Sequence, residues 1–211
     1  MTFSNLIMVN RKDRLHYLHA FRGFAIINIV AAHAWSFMIF WTGDLDTTAL
    51  KNVFWFTETL FHGSTLYFAI ISGWLFTAVL KNKSWRLFFE SKLKYVLSPY
   101  VLMSLISTIV YWQWITQASP DANFISVYLA SLVTGSASIH FWYIPVLCVL
   151  FLLTPALYSL LRDPKFHAVF YLLMLAPLIV SRSPFPDFLK PESFIYFIGA
   201  YCCGMYAGHF Q

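Results

Sequence analysis

The sequence predicts an all-α protein, a polytopic transmembrane helix bundle of about six spans with a cytoplasmic N-terminus. Three observations carry this reading. The first is composition: 59% of the 211 residues are hydrophobic and only 11% are charged, against roughly 45–50% and 25% in soluble domains. Aromatic residues make up 20%, and the mean hydropathy is +0.65. The second is that apolar runs recur at the roughly 20-residue length of a membrane-crossing helix. The third is that Lys and Arg fall almost entirely in alternate loops. Together these exclude a disordered chain, a disulfide scaffold and an ordinary cytosolic enzyme.

Taken in order, the first span is Leu18–Trp41. The residues before it lack a cleavable signal pattern, so this helix is expected to be both targeting signal and permanent anchor. The second, Val53–Leu80, is long enough to tilt or to break near Gly63. The third, Leu97–Ile115, has Pro99 near its start, where a missing N–H costs little. Ala118–Ser138 is polar and weakly apolar by turns and reads as an external loop with an interfacial helix. The fourth span, Ile139–Leu161, contains Pro145 and Pro155, which predict kinks. The fifth, Phe166–Val180, is short and contains Pro177, and the sixth is Phe194–Phe210. Neither a linker nor an internal repeat divides residues 1–211, which read as one domain.

Orientation follows from the basic residues. Arg11, Lys12 and Arg14 precede the first span; Lys81, Lys83, Arg86, Lys92 and Lys94 follow the second; Arg162 and Lys165 follow the fourth. The opposite side has only Lys51, Arg182 and Lys190. The ten-to-three bias puts the N-terminus and each basic loop in the cytoplasm. The net charge of +5 therefore reports topology, not nucleic-acid binding. Cys148, Cys202 and Cys203 show no disulfide framework or zinc spacing and read as small apolar residues.

The informative residues are polar ones inside apolar runs. Arg22 lies in the first span near its cytoplasmic end, where it either snorkels or lines a cavity. His33 follows eleven residues later, about three turns and about 16 Å along the same face. Ile26 and Ile29 fill the stripe between them. Glu58 and His62 sit at the outward end of the second span, and His140 and Trp142 open the fourth. The histidines serve either as interhelical hydrogen-bond partners or as site residues; no metal-binding spacing such as HExxH is present. The Lys81–Lys94 segment serves as the positive-inside signal or as a seat for a phosphate-rich ligand. Gly204 and Gly208 form a GxxxG contact face in the last span.

These motifs, in this order, resemble the acyltransferase 3 family of bacterial integral-membrane acyltransferases. Arg22-Gly23 leading to His33 is similar to that family's arginine, ten residues, histidine signature. FHGSTLYFAIISGWLF (Phe61–Phe76) resembles its His-then-Phe-rich run ending in Ser-Gly, here Ser72-Gly73. FFESKLKYVLSPY (Phe88–Tyr100) is similar to the basic segment entering its third helix. HFWYIPVL (His140–Leu147) and GAYCCGMYAG (Gly199–Gly208) resemble later stretches. Two departures stand out. The family's basic segment usually has a pair of arginines, whereas this chain has Lys92 and Lys94, with Tyr95 where a second basic residue often stands; lysine keeps the charge but not the bidentate fork. Family members also usually have about ten spans, so this chain is expected to correspond to the N-terminal part of such an enzyme.

The resemblance implies a multi-pass protein of the bacterial cytoplasmic membrane. It implies transfer of an acyl group, acetyl first among them, from acyl-CoA to a hydroxyl of a sugar or other cell-envelope acceptor, without a metal. His33 is then the base and Arg22 the cation that holds the donor or steadies the thioester oxygen. Arg86, Lys92 and Lys94 meet the CoA phosphates, while Glu58, His62, Ser72, His140 and Trp142 shape the acceptor end. A second copy or a second-half protein would dock through Gly204 and Gly208. The rival expectations are a truncated, non-catalytic member of the same family, a small transporter or flippase, and a haem-binding membrane protein.

Overall fold

The structure is a computed structural model, and it describes residues 20–21, 23–31, 34, 51–52, 56, 64–80, 84–138, 141–182 and 189–210. All regular structure among them is helical, as the composition predicts. The chain divides into two compact units, Met1–Ile71 and Ser72–Gln211.

In the first unit, residues 23–31 are helical. Phe21 stacks on Phe24 at 6.4 Å and meets Tyr67 at 5.6 Å. Ala25 and Asn28 form the buried face, while Ile26 is 49% exposed. Ile26 and Ile27 are therefore on the open side of this helix, and Ala25 and Asn28 on its packed side.

The second unit is built on the C-terminal helix. Helix α1 (Ser64–Leu75) carries the boundary between the units and ends in a π turn, Phe76–Leu80. Helix α2 (Trp85–Lys92) starts at Ser84, whose Oγ accepts the N–H of Leu87, and runs through a second π turn, Leu93–Leu97, into α3 (Ser98–Ala118). The wider turn has a cause. Pro99 cannot return an N–H to Tyr95 and its ring crowds that carbonyl; a π turn just ahead of it, with Ser98 N–H bonded to Leu93 O, relieves both. Helix α4 (Phe124–Thr134) is capped by Asn123 and stops at Gly135, whose φ of 72° suits a residue without Cβ. Helix α5 (Tyr143–Arg162) takes Pro145 in its first turn and continues past Pro155. An Asp163-capped turn leads to α6 (His167–Ile179), which contains Pro177, and Lys190 leads into α7 (Pro191–His209) with Pro191 at its first position.

Among the described residues, Trp85–Ala118 (34 residues) and Tyr143–Arg162 (20 residues) are long and apolar enough to cross a membrane. Their pairing differs from a simple up-and-down order. Helix α4 does not lie across the outer end of α3. It folds back along it: Trp112 meets Phe124 at 5.1 Å, Tyr128 Oη donates to Val101 O, and Tyr100 Oη donates to Leu132 O at 2.8 Å. Phe141 then packs on Tyr100, so α5 starts at that level and runs beside residues 85–100. The physical reason is local. With α4 held on α3 by these hydroxyls, the remaining flank for α5 is the aromatic face of α2.

Helix α7 buries Phe197, Gly199, Ala200, Tyr201, Cys202, Gly204, Met205 and Gly208. It closes on α1 and α6 through glycines. A Cβ on Gly73 would strike the Tyr201 carbonyl, one on Gly208 would strike Thr77 and Trp74, and one on Gly199 would strike Pro177 and Leu173. Gly208 thus serves a contact within the chain. Between α5 and α7, Thr154 donates to Leu150 O at 2.8 Å, which leaves Tyr201 Oη to donate to Thr154 Oγ1 at 2.9 Å. Thr154→Val strands a buried phenol and is expected to cost about 1–2 kcal/mol. Tyr201→Phe, which leaves Thr154 its carbonyl partner, is expected to cost less. Reversible SDS unfolding followed by circular dichroism measures both, and the reverse ranking would contradict this proton assignment.

Candidate functional site

The sequence WRLFFESK makes α2 amphipathic. Phe88 is 1% exposed and meets Phe76 edge-on at 5.3 Å and Phe151 at 6.1 Å. Trp85 and Phe76 both pack on Tyr158. This aromatic cluster clamps α2 lengthwise onto α5. The neighbouring stripe of α2 and its π turn, Arg86, Phe89, Glu90, Leu93, Val96 and Leu97, then borders a groove of about 430 Å³. Lys92 lines the groove as well, and Cys148, Phe151 and Leu152 form its α5 wall. That volume lies within the usual range for a bound organic ligand.

The charges sit at one end. Arg86 Nε donates to Glu90 Oε1 at 2.7 Å, and both side chains are largely exposed (87% and 52%). Such a pair adds little stability. The Lys92 ammonium lies 4.4 Å above the Phe151 ring and 5.3 Å from that of Phe88, a double cation–π seat. Beyond these three residues the walls are hydrocarbon, aromatic or thiol. The cations suit the phosphates of an acyl-CoA. The apolar walls do not suit its pantetheine arm, whose amides would be buried there without side-chain partners.

The other expected site residues are placed as follows. Lys94 is exposed above Tyr95 and lies outside the groove. Trp142 is 7% exposed at the opposite end of α5, nine residues from Phe151 and about 14 Å along the axis. It packs on Tyr143 and Phe197 under the Arg182 guanidinium, 5.6 Å away. Ser72 is half-buried on α1. Arg22, His33, Glu58, His62 and His140 lie outside the described residues. The structure thus brings together Arg86 and Lys92, and sets Trp142 apart from them. Sequence reasoning missed Phe89, Phe151 and Cys148 as groove walls, although the i, i+3, i+4 spacing of Arg86, Phe89 and Glu90 was a legible sign. It also missed the buried Asn28. Among the described residues no group of three His, Cys, Asp or Glu side chains could hold a metal.

The described residues thus form a helical chain with two membrane-length helices and an apolar groove bordered by Arg86 and Lys92. The family model described as an acyltransferase domain matches residues 15–210, and the chain belongs to this acyltransferase 3 family of membrane proteins. No curated protein and no solved structure matches the chain.

Proposed function

We infer that this protein is a multi-pass acyltransferase of the bacterial cytoplasmic membrane, built of six spans with its N-terminus inside. It moves an acyl group, acetyl in the simplest case, from acyl-CoA to a hydroxyl of a sugar or other envelope acceptor. The observation that carries the reading is the family match over nearly the whole chain. The cationic rim of Arg86 and Lys92 supports it as a seat for the donor's phosphates, and Lys94, outside the groove, adds its charge to the same segment. His33 accepts the proton of the acceptor hydroxyl as its oxygen attacks the thioester carbonyl. The carbon–sulfur bond breaks, and the departing thiolate takes the proton from the imidazolium. Arg22 steadies the negative charge on the carbonyl oxygen. Glu58, His62, Ser72, His140 and Trp142 shape the acceptor end. With donor entry from the cytoplasm and acceptor access from outside, the acyl group crosses along the Arg22–His33 stripe, and this step is dropped if those side chains face lipid and not the bundle interior.

The test is transfer of a labelled acyl group from acyl-CoA in membranes that hold the protein. Arg22→Ala is expected to lower kcat by roughly 10²–10³, the usual loss when one oxyanion donor is removed. Arg22→Lys is expected to retain under about a tenth of activity, because the planar fork is lost while the charge is kept. No acyl-CoA consumption by the wild type would overturn the reading, and full activity of Arg22→Ala would remove Arg22 from it.

A further inference from the structure

The helix over residues 23–31 turns one face to the rest of its unit. Phe21 meets Tyr67 of α1 at 5.6 Å. Asn28 follows Phe21 by seven residues, almost two full turns, so the two share nearly the same face. Asn28 is 7% exposed and Ala25 is fully buried, whereas Ile27 and Val30 are 68% and 60% exposed. The carboxamide is thus taken into the packed side of the helix. It is the one polar side chain between Arg22 and His33 in the sequence, and no described residue hydrogen-bonds to it. A buried amide in a membrane helix ordinarily bonds to a neighbouring helix. One without such a partner carries its whole desolvation penalty, and a ligand that pairs with it removes that penalty.

The position of Asn28 along the chain selects the ligand atom. Asn28 is six residues from Arg22 and five from His33, about 9 Å and about 8 Å along the single helix expected for this span. Arg22 and His33 themselves stand about 16 Å apart on that scale, more than one tetrahedral centre bridges. A thioester that enters from the Arg22 side to meet a hydroxyl at His33 brings its carbonyl group to the level between them, which is that of Asn28.

We propose that Asn28 is a further catalytic residue of the transfer. Its amide N–H donates to the thioester carbonyl oxygen, and the bond strengthens as that oxygen gains negative charge. Asn28 exchanges no proton. The acceptor oxygen bonds to the carbonyl carbon, the carbon–sulfur bond breaks, and the proton passes through His33 to the departing thiolate. The proposal rests on the acyl-transfer reading and adds to it a donor on the packed side of the first helix.

The test compares the wild type with Asn28→Leu, which keeps the branched shape and removes the amide. Transfer of a labelled acyl group is measured in membranes with acyl-CoA varied, and stability by SDS unfolding. The variant is expected to lose about 10²–10³ in kcat, the usual loss of one oxyanion donor, with KM for acyl-CoA within about twofold. Its unfolding midpoint is expected to equal or exceed that of the wild type, because an unpaired buried amide gives way to an apolar group. A kcat within about twofold of wild type overturns the proposal. So does a variant that loses stability together with activity, since Asn28 is then an interhelical contact. Wild-type transfer beside a fully active variant overturns this proposal alone, whereas a wild type that transfers nothing overturns the acyl-transfer reading as well.

Discussion

Substitution of His33 by alanine is expected to lower kcat for acyl transfer by roughly 10²–10⁴, the usual worth of a positioned general base. A sugar hydroxyl is too weak a nucleophile to attack a thioester without losing its proton as it does so, and neutral imidazole is suited to take that proton near neutral pH. The KM for acyl-CoA should change little, because in the proposed role His33 acts on the acceptor hydroxyl and not on the donor's phosphates. A matching rise in KM with kcat intact would instead assign His33 to binding. The measurement is steady-state transfer in membranes with both substrates varied, with the amount of inserted protein equalised. Activity of His33→Ala within about twofold of wild type would sink the assignment.

The second large effect is on stability. Gly73→Ala is expected to cost about 3 kcal/mol, at the upper end for overpacking. The added methyl would strike the Tyr201 carbonyl, with the Met205 N–H close behind. Both are backbone atoms of α7 and cannot swing aside as a side chain would, so α1 and α7 must move apart. In a bilayer that separation forfeits close packing, which is the main force between such helices. Gly23→Ala is the control. Nothing lies within 4 Å of its added methyl, so it should stabilise the helix by roughly 0.5–1 kcal/mol through propensity alone. SDS unfolding of the two variants against the wild type should give shifts of opposite sign. Equal shifts would show that the α1–α7 approach is looser than the structure has it.

Much of the fold was legible. The apolar run at Ile139–Leu161 contains α5 nearly to the residue, because a 20-residue apolar stretch without charge has few other uses. Pro145, expected to kink its span, falls instead in the first turn of α5, where its missing N–H costs little, and Pro99, expected to be harmless near a helix start, lies within a helix continuous from Trp85 and is accommodated by the π turn before it. The site was less legible. Arg86 and Lys92 were picked out by charge, but charge alone also drew in Lys94, which stands outside the groove. Which basic residue meets a groove depends on helical phase, and the π turn at Leu93–Leu97 alters that phase just where Lys94 sits.

The sequence by itself determined that this is a helical membrane protein, and its motifs pointed to the family that the matched residues 15–210 establish. Hydropathy and residue identity are local properties, and a single chain displays them in full. Only the tertiary structure decided that α4 doubles back along α3, that α5 runs beside residues 85–100, and that Gly208 is spent within the chain. Those choices depend on which hydroxyl finds which carbonyl, and on where a missing Cβ lets two backbones touch. They bring together residues far apart in the chain, Tyr100 with Leu132 and Gly73 with Tyr201, whose pairing no local pattern records. Among the described residues the helices' apolar pattern is plain in the sequence, while the order in which they pair is written only in their contacts.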